Sequence, residues 1–166
     1  HGSAGILNRQ FTDLGALPPE ALERLPASPA SAIGTSRTPL EAPDYERMLR
    51  VFRELDIGFV LFTGGNGSMN TCARLARVCE KDGVVVGGIP KTIDNDIGGT
   101  DHAPGYGSAA RFAALAVREI AQDVKALPIH VCIVELMGRN AGWIAAATAL
   151  AREREGDEPR LIYLPE

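Results

Sequence analysis

Residues 87–96 read GGIPKTIDND and concentrate side chains that can do chemistry. Asp94 and Asp96 are two residues apart, so in an extended segment both carboxylates point to one side. One carboxylate could accept a proton while the other holds a cation. The alternative is a turn in which both aspartates accept hydrogen bonds from nearby backbone N–H groups. Because the segment follows an apolar run and includes Lys91, the sequence favours the functional interpretation.

A second polar segment, residues 63–68 with the sequence TGGNGS, is typical of a phosphate-binding turn. Its glycines let the main chain approach a ligand closely, and the start of a following helix offers unpaired N–H groups and partial positive charge. A tight strand-to-helix turn capped by Ser68 explains the same residues equally well. No Gly-Lys-Ser/Thr follows, so this is not a Walker loop.

Arg139 is the candidate cation of a third segment, residues 137–140 with the sequence MGRN. An arginine at the start of a helix is unfavourable for the helix dipole unless an anion lies against it. A solvated arginine is the alternative. Arg37, in the sequence GTSR, is a weaker candidate of the same kind.

The elements that position these segments alternate between helix and strand. The patterns predict helices at about 43–55, 68–81, 105–126 and 140–154, and strands at about 58–62, 84–86, 130–136 and 161–164. The strands are near-continuous apolar runs, as expected where helices cover both faces of a parallel sheet. The predicted fold class is therefore α/β, a Rossmann-like three-layer sandwich with a mostly parallel sheet.

The three polar segments follow the first three predicted strands. Ligands of open α/β sheets bind outside the carboxyl ends of the strands. We therefore expect Asn66, Asp94 and Arg139 to meet in one cleft. Residues 1–40, rich in Pro, Ala, Ser and Gly, predict an irregular lead-in with one short helix at 18–25, and residues 41–166 predict a single α/β domain.

Composition excludes several classes of function. Seventeen basic residues against twenty-one acidic ones give a net charge of −4, without the basic stripe that nucleic-acid binding requires. No apolar stretch approaches the roughly 20 residues that cross a bilayer, and no leader sequence opens the chain, so we expect a cytoplasmic protein. Three cysteines without metal-site spacing, Cys72, Cys79 and Cys132, predict reduced thiols packed in the interior.

Five segments in order resemble the phosphofructokinase family. They are GTSR, GGNGSM, GIPKTIDNDIGGTDHAPGYGSAARF, VELMGRNAGW and YLPE, and the resemblance runs from about residue 1 to the end of the chain. It implies phosphoryl transfer from ATP or pyrophosphate to the 1-hydroxyl of fructose 6-phosphate, with Mg²⁺, giving fructose 1,6-bisphosphate in glycolysis.

The resemblance also implies a role for each matching residue. Asp94 corresponds to the general base, Asp96 to a carboxylate that helps hold Mg²⁺, and Arg139 to a cation that stabilises the transition state. The sugar-binding contacts correspond to Thr92, Asp94, Met137, Gly138 and Arg139. The donor-binding contacts correspond to Arg37, Gly65, Asn66, Gly67, Ser68 and Lys91.

Three positions depart from the family pattern. Asn66 stands where the family usually has aspartate, so Mg²⁺ binding is expected to rest more on Asp96 and on the phosphates of the donor. Gly67 leaves room for a nucleotide, whereas Lys91 is typical of pyrophosphate users; relatives that combine the two give ATP a modest edge. His130 replaces an arginine that in many relatives reaches the substrate of a neighbouring subunit.

Family members begin with a strand and a phosphate loop that would precede residue 1, and they continue beyond residue 166 into a sugar-binding half. The resemblance therefore predicts a fragment of a longer two-lobed enzyme that is a homo-oligomer at full length. Its sheet would have an exposed edge, through which an isolated piece could dimerise, and such a piece could be inactive.

Two other interpretations stay open. NAD kinases and lipid kinases share a GGDG donor loop and a similar fold, but they lack the PKTIDND and MGR segments. A non-catalytic module that binds a nucleotide or a sugar phosphate is favoured by Asn66 and by the short chain.

Overall fold

The computed structural model describes residues 2–28 and 31–165 of the chain. The chain divides into two compact units, here called unit 1 (His1–Val60 and Cys72–Gly87) and unit 2 (Leu61–Thr71 and Gly88–Glu166). Within the described ranges, no helix combines the length and the apolar composition that crossing a membrane requires.

The described residues of unit 1 form three α-helices before the first strand: α1 (Gly2–Leu7), α2 (Pro19–Arg24) and α3 (Ala42–Glu54). The start of α3 is capped by the Asp44 carboxylate, which accepts a hydrogen bond of 3.0 Å from the Glu41 N–H. The buried residues of α3 recur every three or four positions and make one apolar face: Tyr45, Met48, Leu49, Val51 and Phe52. This face is the main hydrophobic contribution of α3 to unit 1.

The sheet consists of two parallel strands, β1 (Phe59–Gly64) and β2 (Val85–Pro90), and helix α4 (Asn66–Cys79) connects them. The Val85 N–H donates to the Gly58 carbonyl at 2.9 Å, and the Lys91 N–H donates to the Gly64 carbonyl at 2.9 Å. Both bonds join residues in the same order along the two strands, so the pairing is parallel. The α/β class predicted from the sequence is confirmed.

Unit 2 is built around helix α5 (Tyr106–Ala126), which packs against helix α6 (Trp143–Ala147) and the 3-10 turn Thr148–Ala151. The buried face of α5 is made of small residues, Ala110, Ala113, Val117 and Ala121, which allow close approach of the neighbouring elements. Two ion pairs lie along this packing: Arg118 with Glu153 at 2.9 Å, and Lys125 with Asp157 at 3.3 Å.

Most predicted elements of the first 126 residues are present within two residues of the predicted bounds. They are helices α2, α3, α4 and α5 and strand β1, while β2 starts one residue later than predicted and continues to Pro90. Helix α1 falls inside the stretch predicted as an irregular lead-in. The division of the chain at residue 41 stays a prediction.

Two predicted strands are wrong. Residues 130–136 and 161–164 are irregular, and large side chains there are exposed to solvent, with Val131 at 75%, Ile133 at 89% and Tyr163 at 82%. An apolar run becomes a strand only if a neighbouring strand pairs with its backbone, and within the described residues the sheet contains β1 and β2 alone. Periodicity cannot report the presence of that neighbour.

The predicted helix at 140–154 is shorter than expected, because α6 begins at Trp143 and the helical path ends with the 3-10 turn at Ala151. Gly138 has a φ of +120°, and its turn brings it against the carbonyl of Ala141, which delays the start of the helix.

The prediction for the cysteines is wrong in one of its three parts. Cys72 and Cys79 are buried, whereas Cys132 is exposed on the irregular segment 130–136. Burial raises the pKa of the Cys72 thiol. Burial is also the largest cause that raises the pKa of Cys79, and the nearby carboxylates of Asp82 and Glu46 add to it.

Candidate active site

A loop that we call the acidic loop, residues 92–105, follows β2 and leads into α5. It is closed at its base, where the Thr92 N–H donates to the Pro104 carbonyl at 3.2 Å and Thr92 forms an isolated parallel bridge with Gly105. The closure turns fourteen residues of irregular chain into a compact excursion from the end of the strand. Asp94 and Asp96 both lie within it, at the carboxyl end of β2.

Asp94 is half-buried and is held by its neighbour Thr92. The Thr92 hydroxyl oxygen accepts a hydrogen bond of 3.1 Å from the Asp94 N–H. The carboxylate atom Oδ1 of Asp94 is buried and has no hydrogen-bond partner; among the described residues it is the only such side-chain atom. Buried polar atoms are normally paired, so this oxygen is suited to accept a proton or a hydrogen bond from a bound molecule.

The turn between β1 and α4, here called the donor loop (residues 64–68), lies against the acidic loop. A Cβ placed on Gly65 would be 3.8 Å from the Thr92 Cβ and 3.9 Å from the Lys91 carbonyl oxygen. The Asn66 side-chain amide donates to the Asp96 carbonyl oxygen at 3.3 Å. These contacts bring two of the three predicted site segments together.

Helix α4 begins inside the donor loop, earlier than the predicted start at residue 68. Asn66, Gly67 and Ser68 form its first turn, and the Met69 N–H donates to the Gly65 carbonyl at 3.0 Å. The first turn carries no acidic residue, so the partial positive charge of the helix start is not compensated there. A Cβ on Gly67 would meet no atom within 4 Å.

Gly64 is a residue of this turn that the sequence analysis did not single out. It is buried, and a Cβ there would overlap the side chain of Ser68. Only glycine fits, because Ser68 folds back over the end of β1. The paired glycines of TGGNGS were the available signal, but their spacing alone does not tell which glycine is sterically required.

Arg139 lies in the irregular segment that precedes α6. Its guanidinium is exposed, and within the described part of the chain it makes no hydrogen bond or ion pair. Met137 is also exposed, at 68%. In the described residues no hydrogen bond or ion pair joins Arg139 to the acidic loop or the donor loop, so such contacts are seen for two of the three predicted segments.

An indirect connection reaches the Arg139 segment through the start of α5. The Tyr106 hydroxyl donates to the Trp143 carbonyl oxygen at 3.4 Å, which joins the first residue of α5 to the first residue of α6. The His102 ring packs edge-on against Tyr106 with ring centroids 5.4 Å apart. Gly107 makes room for His102, since a Cβ there would be 3.2 Å from the imidazole.

Two further predicted donor contacts are also cationic. The Lys91 backbone is fixed by its bond to Gly64, while its ammonium is exposed and makes no ion pair with any described residue. Arg37 is exposed and lies in unit 1, whereas all other predicted site residues lie in unit 2. Unit 2 therefore carries unpaired positive charge at Lys91 and Arg139.

A closed metal cage is not present in the described residues, where no group of three or more His, Cys, Asp and Glu side chains comes together. Mg²⁺ is commonly bound by one or two carboxylates with phosphate oxygens and water completing the shell. Asp96 is half-buried, and its carboxylate has no partner among the residues described. This donor set fits a magnesium ion that arrives with a phosphate ligand.

Comparison with known proteins identifies the family. A family model described as Phosphofructokinase matches residues 1–166. The chain belongs to this family. It is 39% identical to the pyrophosphate–fructose 6-phosphate 1-phosphotransferase of Halomonas elongata, in an alignment that covers 100% of this chain and 42% of that protein.

Other phosphofructokinases are similar in sequence and in structure. The ATP-dependent 6-phosphofructokinase of Aquifex aeolicus is 38% identical over 73% of this chain and 35% of its own length. The crystal structure of the pyrophosphate-dependent phosphofructokinase from Marinobacter aquaeolei superposes with a TM-score of 0.86 at 36% identity, covering 99% of this chain and 42% of that one. The chain thus spans about 42% of the length of its similar relatives.

Proposed function

We propose that this phosphofructokinase-family chain carries the phosphoryl-donor site of an enzyme that phosphorylates the 1-hydroxyl of fructose 6-phosphate, giving fructose 1,6-bisphosphate in glycolysis. The observation that carries the proposal is the contact between Asn66 and the Asp96 carbonyl, at 3.3 Å. It sets a helix start suited to phosphate beside a loop in which the Asp94 Oδ1 is buried and unpaired.

Asp94 is assigned the general base. The sugar hydroxyl transfers its proton to the Asp94 carboxylate, the sugar oxygen forms a bond to the phosphorus atom, and the bond between that phosphorus and the donor's leaving oxygen breaks. An unpaired, half-buried carboxylate suits this role because no donor among the described residues competes for the accepting oxygen. Thr92 helps to position the Asp94 carboxylate, since the Thr92 hydroxyl holds the Asp94 backbone.

The unpaired cations are assigned to the charge of the transferred group. The Lys91 backbone is hydrogen-bonded to Gly64 at the end of β1. The side chain that bears the ammonium therefore extends from a fixed position beside the donor loop. Arg139 is assigned to the sugar-binding segment with Met137 and Gly138, where its guanidinium stabilises negative charge on the equatorial oxygens. Arg37 stays a predicted donor contact, as the family resemblance implies.

Asp96 and Asn66 are the residues that would hold Mg²⁺. A bound magnesium ion would neutralise charge on the donor phosphates. Asn66 is neutral, and its side-chain amide already donates to the Asp96 carbonyl. Of the two residues, Asp96 is therefore the one that offers a negative charge to a cation.

Pyrophosphate is the donor that we favour. The Halomonas elongata relative, which aligns with all of this chain, is named as a pyrophosphate enzyme, and Lys91 offers a cation without an ion-pair partner among the described residues. The family resemblance had given ATP a modest edge. ATP remains the second candidate because the space around Gly67 leaves room for a nucleotide.

The test is a product assay of the intact protein with fructose 6-phosphate and each donor in turn, coupled to detection of fructose 1,6-bisphosphate. We expect turnover with pyrophosphate to exceed turnover with ATP. Phosphorylation of NAD or of a lipid instead would support the related-kinase interpretation. Calorimetric binding of fructose 6-phosphate without turnover by either donor would support the non-catalytic module. Cytoplasmic location and homo-oligomerisation stay predictions.

A further inference from the structure

Asn95 lies between the two carboxylates of the acidic loop and has an unusual backbone conformation. Its φ is +55°, in the left-handed region that asparagine tolerates better than most residues. The backbone therefore changes direction at Asn95 in a way that an extended segment would not.

The Asn95 side chain uses both of its functional groups inside the same loop. Its amide donates to the Asp101 carbonyl oxygen at 3.1 Å, and its Oδ1 accepts from the Ala103 N–H at 2.8 Å. Ala103 is completely buried, so the second bond is made to a fixed part of the fold. The two bonds join Asn95, in the first half of the acidic loop, to Asp101 and Ala103, in its second half.

These contacts complete a closure that begins at Thr92. The Thr92–Pro104 backbone bond closes the base of the loop, and Asn95 closes it again three residues further along. Asp94 lies between the two closures, and Asp96 follows the second directly. Neither carboxylate is held by a hydrogen bond of its own, so the backbone determines where each one points.

We propose that Asn95 is a positioning residue, which clamps the acidic loop so that Asp94 and Asp96 are fixed for catalysis; this rests on the function proposed above. Only a side chain with a donor and an acceptor on one planar group can make both bonds. Aspartate at this position would lack the donor to Asp101 and would add a fourth negative charge to the acidic loop.

The test uses three variants of the intact protein. Asn95→Gly tolerates the positive φ but loses both side-chain bonds, whereas Asn95→Ala loses both bonds and is also strained at that φ. Thr100→Val is the matched control, because it removes one hydrogen bond of the same loop, from the Thr100 hydroxyl to the Ile97 carbonyl at 2.9 Å, and leaves both Asn95 bonds in place.

Steady-state kinetics provide the first measurement. We expect kcat to fall about 10- to 100-fold in both Asn95 variants while KM for the sugar phosphate barely changes, because small misplacement of a reacting group acts on the chemical step. Thr100→Val should keep the wild-type kcat. A merely structural role would instead lower the amount of folded enzyme without changing kcat per active site.

Amide hydrogen exchange provides a second measurement that does not depend on turnover. In both Asn95 variants, the peptide that contains Asp94 and Ala103 should exchange about tenfold faster, as expected for the loss of two hydrogen bonds. Thr100→Val should not speed exchange at Asp94. Unchanged exchange in Asn95→Gly overturns the clamp, and faster exchange with unchanged kcat overturns the positioning role. If the wild type does not phosphorylate fructose 6-phosphate, the proposed function fails, while the exchange data still decide the clamp.

Discussion

At the scale of single residues, the chemistry depends most on Asp94. Replacing Asp94 with Asn keeps the shape of the side chain and removes its capacity to accept a proton. We expect kcat to fall by about 10²- to 10⁴-fold with donor affinity nearly unchanged, since a general base acts in the transition state. Steady-state assays and calorimetric donor binding measure the two quantities.

The matched control for this change is Asp101→Asn. Asp101 is exposed in the same loop and takes part through its backbone carbonyl, which the substitution keeps. It should retain near wild-type kcat. If Asp94→Asn keeps most of its activity, Asp94 is not the base.

Donor choice is also decided by single residues. A Cβ placed on Gly67 would meet no atom within 4 Å, so this space is open. Gly67→Asp adds bulk and negative charge there and should raise KM for ATP more than KM for pyrophosphate. Lys91→Ala removes an unpaired ammonium and should weaken use of pyrophosphate more than use of ATP. Kinetics of both variants with both donors measure the two effects. Identical losses with both donors in each variant would contradict this division of roles.

At the scale of elements, the packing of α5 against the residues after α6 includes a carboxylate with a pH-dependent contribution. Hydrogen bonds from the Arg154 N–H and the Glu153 N–H, followed by one from the Lys125 side chain, lower the pKa of Asp157. A carboxyl group whose pKa is lower in the folded state stabilises the fold above its unfolded pKa, about 3.9. That stability is lost as pH falls through the folded value.

Denaturant unfolding as a function of pH tests this contribution. Asp157→Asn should be less stable than wild type at neutral pH, and the difference should shrink as the pH falls below about 4. Glu155→Gln, a change to an exposed neighbour, is the control and should leave the profile near that of wild type. A difference for Asp157→Asn that is independent of pH would contradict the linkage.

Among the helices and strands, the sequence predicted some elements of the fold and not others. Helix α3 and helix α5 followed from apolar residues at three- and four-residue spacing, and β1 from a short apolar run bounded by glycine. Residues 130–136 have the same apolar character as β1 but no strand beside them. Local pattern reports which faces of a segment are apolar, whereas pairing depends on distant chain.

The candidate site, like the fold, could be predicted from the sequence only in part. The residue types of the donor loop and the acidic loop indicated their chemistry, and their positions at the carboxyl ends of two parallel strands indicated that the two loops meet. The double hydrogen bond of Asn95 could not be predicted, because it depends on a left-handed backbone and on the return path of the loop to Ala103. The unpaired oxygen of Asp94 is likewise a property of the packed loop.

At the scale of the whole molecule, the structure predicts uneven protection of the backbone. In the 166-residue chain, amides of residues 130–136 should exchange with solvent far faster than those of α3 and α5, because their backbone groups are not paired in a ladder. Exchange read out by mass spectrometry on peptides from each region measures this. Slow exchange across 130–136 would show that the segment is a paired strand.

The contrast among the three cysteines has a practical consequence for following the molecule in solution. Cys72 and Cys79 are buried with raised pKa values, so their thiolates are scarce near neutral pH, while Cys132 faces the solvent. A maleimide dye added briefly at that pH should therefore attach selectively to Cys132. The dye would sit seven residues before Arg139, where its fluorescence could report the arrival of an anionic ligand without any engineered mutation.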